Sequence, residues 1–174
     1  MSLQAYIRKL EALEKVTRQQ PYRSGVIALK FIKDRFVAQN WIDSRMEPWK
    51  DTQLPRAGRA ILVGKGSGAL KRAWRITSSN SQRVVIGNDR KYARAHNEGV
   101  KIVVTEKMRK FFWAKSYDLR EAGKTKEADY YKNLALTKKK FFTLPRRQMA
   151  GNSARMMQLI DRQLLYAYTK ALKT

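Results

Sequence analysis

A single imidazole, His96, stands in the 174-residue chain, and there is no cysteine. One histidine can serve as a general base, and here it lies in Lys91-Tyr92-Ala93-Arg94-Ala95-His96-Asn97-Glu98-Gly99. No Ser or Asp stands out as its partner, and one imidazole without nearby carboxylates makes a poor metal site. On a short helix ahead of a glycine, its expected role is a hydrogen bond to backbone or packing on Tyr92. The absence of Cys removes disulfides, thiolate metal sites, iron–sulfur clusters and a thiol nucleophile. Asp34, Asp43, Glu47 and Asp51 are the densest acidic set, amid comparable Lys and Arg. Two-carboxylate hydrolysis depends on a separation that sequence does not give, and no spacing here recommends it. A hydrolase built on His96 would lose all activity in His96→Ala; a modest folding defect is the expectation instead. No catalytic, cofactor or metal residue is assigned, and neither a cofactor nor a small-molecule substrate is expected.

The glycine-rich stretch Gly64-Lys65-Gly66-Ser67-Gly68-Ala69 formally satisfies the dinucleotide fingerprint. That fingerprint needs a crossover helix that brings a parallel strand beside the first. About six helical residues precede the next strand, and a crossover takes about a dozen or more. No Gly-Lys-Ser/Thr follows to make a P-loop. The stretch reads as a turn.

The basic residues carry most of the signal. Lys and Arg number 38 against 14 Asp and Glu, a net charge of +24. Residues 1–58 hold 11 basic and 6 acidic groups, residues 59–174 hold 27 and 8. Lys107, Arg109, Lys110, Lys115, Lys138, Lys139, Lys140, Arg146 and Arg147 are interleaved with Phe111, Phe112, Trp113, Phe141 and Phe142. Charge on phosphates and rings on bases together make a nucleic-acid surface. The competing expectation puts the rings in the core and the lysines in water. Packing does not account for the charge, because so large an excess repels itself until something offsets it. The offset is a polyanion or an acidic protein surface. Lys107, Arg109, Lys110, Lys138, Lys139, Lys140 and Arg147 are the candidate polyanion contacts.

One domain over 1–174 is expected, long enough to hold a core without metal or disulfide help. Leu3, Ile7, Leu10 and Leu13 predict a helix over 3–18, stopped by Pro21. A second helix is predicted over 24–40 with Ser24 as its cap, and then a long irregular connection over 41–58. A strand-rich middle over 59–105 follows: a strand at 59–63, a helix at 69–74, and a hairpin of 75–78 with 83–87. A helix at 92–98 ended by Gly99 and a strand at 100–104 complete it. Helical segments at 106–121 and 125–136 are separated by Gly123. The chain closes with a strand at 138–144, ended by Pro145, and a last helix capped by Asn152 or Ser153, with Met157, Ile160, Leu164 and Tyr168 on one face. This order predicts an α+β fold, a small mixed or antiparallel sheet packed against N-terminal and C-terminal helices. The longest apolar runs are three or four residues, short of a membrane span. No secretory signal is visible, so synthesis in a cytoplasm and no membrane partner are expected.

Several motifs come in a characteristic order: Phe36–Trp41, Pro48-Trp49, Gly58–Val63, Gly68–Trp74, Val84–Gly87 and Tyr92-Ala93-Arg94-Ala95-His96-Asn97-Glu98-Gly99. This series resembles the virion morphogenesis, or tail completion, proteins of tailed bacteriophages (the Mu-like type). In that family a Pro-Trp loop, a Gly-x-Leu turn-helix, an Ile-Gly strand and a Tyr-Ala-x-x-His-x-x-Gly element follow one another. Leu144–Met149 stands where the family carries Pro-x-Arg-x-Phe. Ala73 replaces the usual Ser, the second Gly beside Gly99 is absent, Met149 replaces Phe, and 107–137 looks like an insertion. The resemblance implies a structural protein of the virion neck or tail, in a phage or a prophage, that completes the tail or joins it to the head. It implies a homo-oligomeric ring partnered by other head, neck or tail proteins, with DNA or acidic neighbours facing the cations. Trp41, Pro48, Trp49, Gly64, Gly66, Gly68, Leu70, Tyr92, His96, Gly99, Pro145 and Arg146 are its motif positions. The 41–58 connection and the 64–68 turn would be the inter-subunit contacts. The competing class is a basic nucleic-acid-binding protein with no virion role.

Overall fold

A computed structural model describes residues 2–51, 60–63 and 68–173. The fold is α+β, with 58% of the described residues helical, and its described strands form three separate two-stranded antiparallel ribbons rather than one sheet. The chain divides into two compact units where the sequence reading has one domain. Unit 1 takes residues up to Trp49, Ala60–Ala93 and the chain from Gln148 onward; unit 2 takes Lys50–Arg59 and Arg94–Arg147.

Unit 1 is organised on α1, Leu3–Ala38, about 54 Å long at 1.5 Å per residue. Ser2 caps its start by accepting from the Ala5 N–H at 3.3 Å, and Gln39 ends it in the left-handed conformation. The predicted break at Pro21 does not occur, and Ser24 lies inside the helix. Proline in a helix interior costs about 3 kcal/mol. Fully burying one large apolar side chain returns about 1.5–3 kcal/mol, and Phe31, Ile32 and Phe36 are all buried downstream. Packing therefore overrides the local breaker.

The predicted irregular connection begins as a hairpin, β1 (Asn40–Ile42) with β2 (Met46–Pro48), in the register Trp41↔Glu47; its remainder, 52–58, lies outside the described residues. The strand expected at 59–63 is a turn over 61–63, with Leu62 at φ 62°. The Gln39 side-chain amide supplies the pairing that a strand would have used: its Nε2 donates to the Ile61 carbonyl at 3.2 Å and its Oε1 accepts from the Ile61 N–H. Gly68 precedes α2, which is shorter than predicted, Ala69–Arg72. The hairpin β3 (Arg75–Ser79) with β4 (Val84–Gly87) forms as expected, with a bulge between Ile76 and Ser78. The Asn80 carboxamide oxygen closes its turn by accepting from the N–H groups of Gln82 and Arg83.

The core of unit 1 joins Ile32, Phe36, Trp49, Ile61, Leu70, Ala93 and Met149. The last helix, α6, spans Ala154–Lys173 and buries Ile160, Ala167 and Ala171. Its buried face is rotated from the predicted one, because Met157 is exposed. Ser153 rather than Asn152 caps it, accepting from the Met156 N–H at 3.1 Å.

Unit 2 receives the end of α3 (Ala93–Glu98), then β5 (Val100–Val103), α4 (Glu106–Glu121), α5 (Thr125–Ala135) and β6 (Phe141–Leu144). These follow the sequence prediction within a few residues. α4 and α5 form a helical hairpin that turns at Gly123, φ 72°. The buried Ser116 hydroxyl donates to the Ala128 carbonyl at 2.9 Å, and Ala128 is fully buried. No described helix is long and apolar enough to cross a membrane.

Candidate assembly and nucleic-acid surfaces

In unit 1 the motif positions Trp41, Trp49 and Leu70 are buried. Trp41 meets Phe31 edge to face at 5.7 Å between centroids, and Trp49 meets Phe36 at 5.5 Å in the same way. The Trp49 indole N–H donates to the Gln148 carbonyl at 2.7 Å, which ties the Pro-Trp motif to the segment after Pro145. Leu70 is buried, and Met149, where the family has Phe, is fully buried. Pro48 ends β2 exposed and Tyr92 is exposed. Gly68 adopts φ 51° with open space where a Cβ would point. Gly64 and Gly66 lie outside the described residues.

In unit 2 the remaining motif positions serve the backbone. Gly99 ends α3 at φ 75°, its N–H donating to the Ala95 carbonyl at 2.9 Å. A Cβ there would stand 2.9 Å from the Arg146 nitrogen and 3.1 Å from the Leu144 carbonyl oxygen. The His96 carbonyl accepts from the Arg147 N–H at 2.8 Å. The His96 ring is half-buried, and burial first, then the Arg147 charge, hold its pKa below the ordinary value. Pro145 is half-buried and Arg146 exposed.

The candidate polyanion contacts divide into two kinds. Arg147 is buried, and its guanidinium donates to the carbonyls of Lys50 at 2.8 Å and Asp51 at 3.1 Å. Arg109 donates to the Ala135 carbonyl at 3.0 Å and to that of Thr137, so it neutralises the C-terminal end of α5. Both arginines act within the fold. Lys107, Lys110, Lys138, Lys139 and Lys140 are exposed, and their side chains enter no ion pair or hydrogen bond among the described residues.

The rings divide as well. Phe112 and Phe142 are half-buried, 6.0 Å apart, and Phe112 also meets Tyr131 at 6.2 Å. The expectation that the rings face the core holds for this pair. It fails for Phe111 and Phe141, which are 59% and 50% exposed. Alternation along the strands explains Phe141. Phe142 meets Phe112 of α4 and Leu144 is half-buried on the same side, which puts Phe141 and Thr143 on the other face of the ribbon. The register pairs Lys101↔Thr143 and Val103↔Phe141, so Lys101 and Val103 share that outer face. Lys101 escaped the sequence reading; the alternation in 100–103 was the signal that would have found it.

The chain matches no protein-family model, no curated protein and no solved structure. The likeness to the tail completion family rests on the order of its motifs.

A second exposed apolar feature lies on α1. Leu3, Tyr6, Ile7 and Leu10 are exposed, whereas the same helix is buried at Pro21, Gly25 and Ala28. The Thr17 and Tyr168 hydroxyls meet at 3.1 Å, where α6 lies along α1. Contiguous apolar surface of this kind marks interaction sites.

Proposed function

We propose that this chain is a structural virion assembly protein of a tailed phage or prophage, completing the tail or joining it to the head at the neck. The supporting observation is the bond from the Trp49 indole to the Gln148 carbonyl, across 99 positions of sequence. It brings together two segments that the motif order singles out separately. These motif residues hold the fold, which suits a building block whose surface does the work. The bare Leu3, Tyr6, Ile7 and Leu10 stripe supplies apolar area for a neighbour, and a homo-oligomeric ring needs such a contact to be heterologous and closing. The partners are other head, neck or tail proteins, and the location is the virion.

The test is deletion of the gene from the phage or prophage that carries it, followed by electron microscopy of induced lysates. Filled heads separate from tails are the expected result. Normal yields of joined, infectious particles would overturn the reading.

The second reading is a basic nucleic-acid-binding protein with no virion role, favoured by the exposed lysines of unit 2 that pair with no described residue. Purified particles separate the two: the chain co-purifies with virions at fixed stoichiometry under the first reading and is absent from them under the second.

A further inference from the structure

We infer that the outer face of the β5–β6 ribbon, with the first turns of α4, binds single-stranded nucleic acid. This inference concerns the chemistry of one surface and holds whether or not the chain is carried in a virion.

The ribbon is a poor structural element by the standards of unit 1. All four residues of β5 are exposed, as are Phe141 and Thr143 of β6. A two-stranded ribbon is marginal without one face buried, and among the described residues it is the Phe142 face that has ring contact with a helix. The other face displays an open aromatic ring, Phe141, with a cation on the neighbouring strand. Lys101 lies on β5 of that face, and Lys139 lies two residues before Phe141, in the exposed segment that leads into β6. The arrangement repeats on α4. Lys107, Lys110 and Phe111 fall at i, i+3 and i+4, which is one stripe of a helix, and all three are exposed. Ring contacts tie α4 to the ribbon through its inner face, Phe111 to Phe112 at 5.9 Å and Phe112 to Phe142 at 6.0 Å.

Charge selects the class of occupant. No Asp or Glu occurs from residue 130 to residue 160, and that interval carries seven Lys and Arg. The lysines of this surface have no acidic partner among the described residues. A second copy of the same face would bring lysine against lysine. An acidic protein would satisfy the charge, but its side chains do not offer a flat stacking face between negative charges at a regular spacing. Unpaired bases do: each has a face to stack on Phe, while the phosphates between them meet Lys. A duplex hides those faces in its own stack, so the rings select single strands.

Fluorescence anisotropy of the full chain with a labelled 20-nucleotide oligo-dT, and with a duplex of equal length, tests this over a series of salt concentrations. Single-strand binding is expected to be the tighter, and to weaken log-linearly with salt. Phe141→Ala is expected to lose about fivefold or more in single-strand affinity with little change in salt slope, and Phe141→Trp to retain affinity. Lys101→Gln with Lys139→Gln is expected to reduce the slope by about 1.4, at about 0.7 per phosphate contact. Phe141 is half in water already, so an unchanged melting temperature certifies the variants. Equal or tighter duplex binding, indifference to Phe141→Ala, or preference for an acidic peptide would each overturn the inference. None of these outcomes bears on whether particles lacking the chain come apart.

Discussion

Two antiparallel ribbons of nearly equal length are used in opposite ways. In unit 1, β3–β4 lies against α1 at Gly25, where an added Cβ would stand 2.5 Å from Val84 Cγ2 and 3.3 Å from Ile76 Cδ1. The helix backbone itself closes that face. In unit 2, β5 is exposed along its whole length, and an aromatic ring and Lys101 occupy the outer face of its ribbon. Ribbon geometry alone thus does not decide between core and surface. What decides is whether a neighbour approaches to backbone distance, and a glycine marks where one does.

The largest effect expected from breaking this contrast comes from the core under the first ribbon. Phe36→Ala removes a 1%-exposed ring that packs on Trp49, and should cost about 3–5 kcal/mol in denaturant unfolding. Amide exchange should rise through α1 and β3–β4. Gly99→Ala acts in unit 2, where an L-residue at φ 75° would collide with the backbone of Arg146. The left-handed conformation alone costs about 1–2 kcal/mol, and the collision adds to it. Exchange should rise at β5 and β6. If both variants opened the same amides, the two ribbons would not be separate features. Gly25→Ala sharpens the comparison further. Helix propensity favours Ala by about 1 kcal/mol, yet overpacking against a stiff Val costs typically about 1–3 kcal/mol. A net loss of stability is expected, and a gain would mean that α1 stands farther from β4 than described.

How much of this was legible in the sequence depends on the range of the interaction. Asn80, Gly99 and Gly123 do local chemistry, and the turns and helix ends around them lie where their residue types predict. Thr105 caps α4 by accepting from the Met108 N–H at 3.3 Å, which is the same kind of signal. The misreadings all involve distant partners. Pro21 reads as a breaker until the burial of Phe31, Ile32 and Phe36 is known. Ile61 reads as a strand because nothing local reveals that Gln39 will occupy its backbone. Asp43 reads as one of a scattered acidic set, whereas its carboxylate accepts from the Ala154 N–H at 2.6 Å, at the start of α6. Arg147 reads as a surface cation for the same reason. The exposed lysines were legible, but which phenylalanine stood beside them required the ribbon's register.

The smallest expected effect is a dependence on pH. His96 is half-buried in unit 2 beside Arg147, and burial and that charge both disfavour its imidazolium. Its folded pKa therefore lies below the unfolded value of about 6.5. Above that value the ring is neutral in both states and contributes nothing to pH dependence. As pH falls below it, the unfolded chain takes up a proton that the folded chain resists, so stability declines until the folded pKa is passed. Thermal melts between pH 7.5 and pH 5 should show this decline in the unaltered chain and a shallower one in His96→Gln. The Asp and Glu residues ordinarily titrate lower, near pH 4, so the upper part of the window isolates the imidazole. An identical slope in both proteins would mean that His96 is solvated well enough to titrate normally, and that the end of α3 is as open to water as the ribbon that follows it.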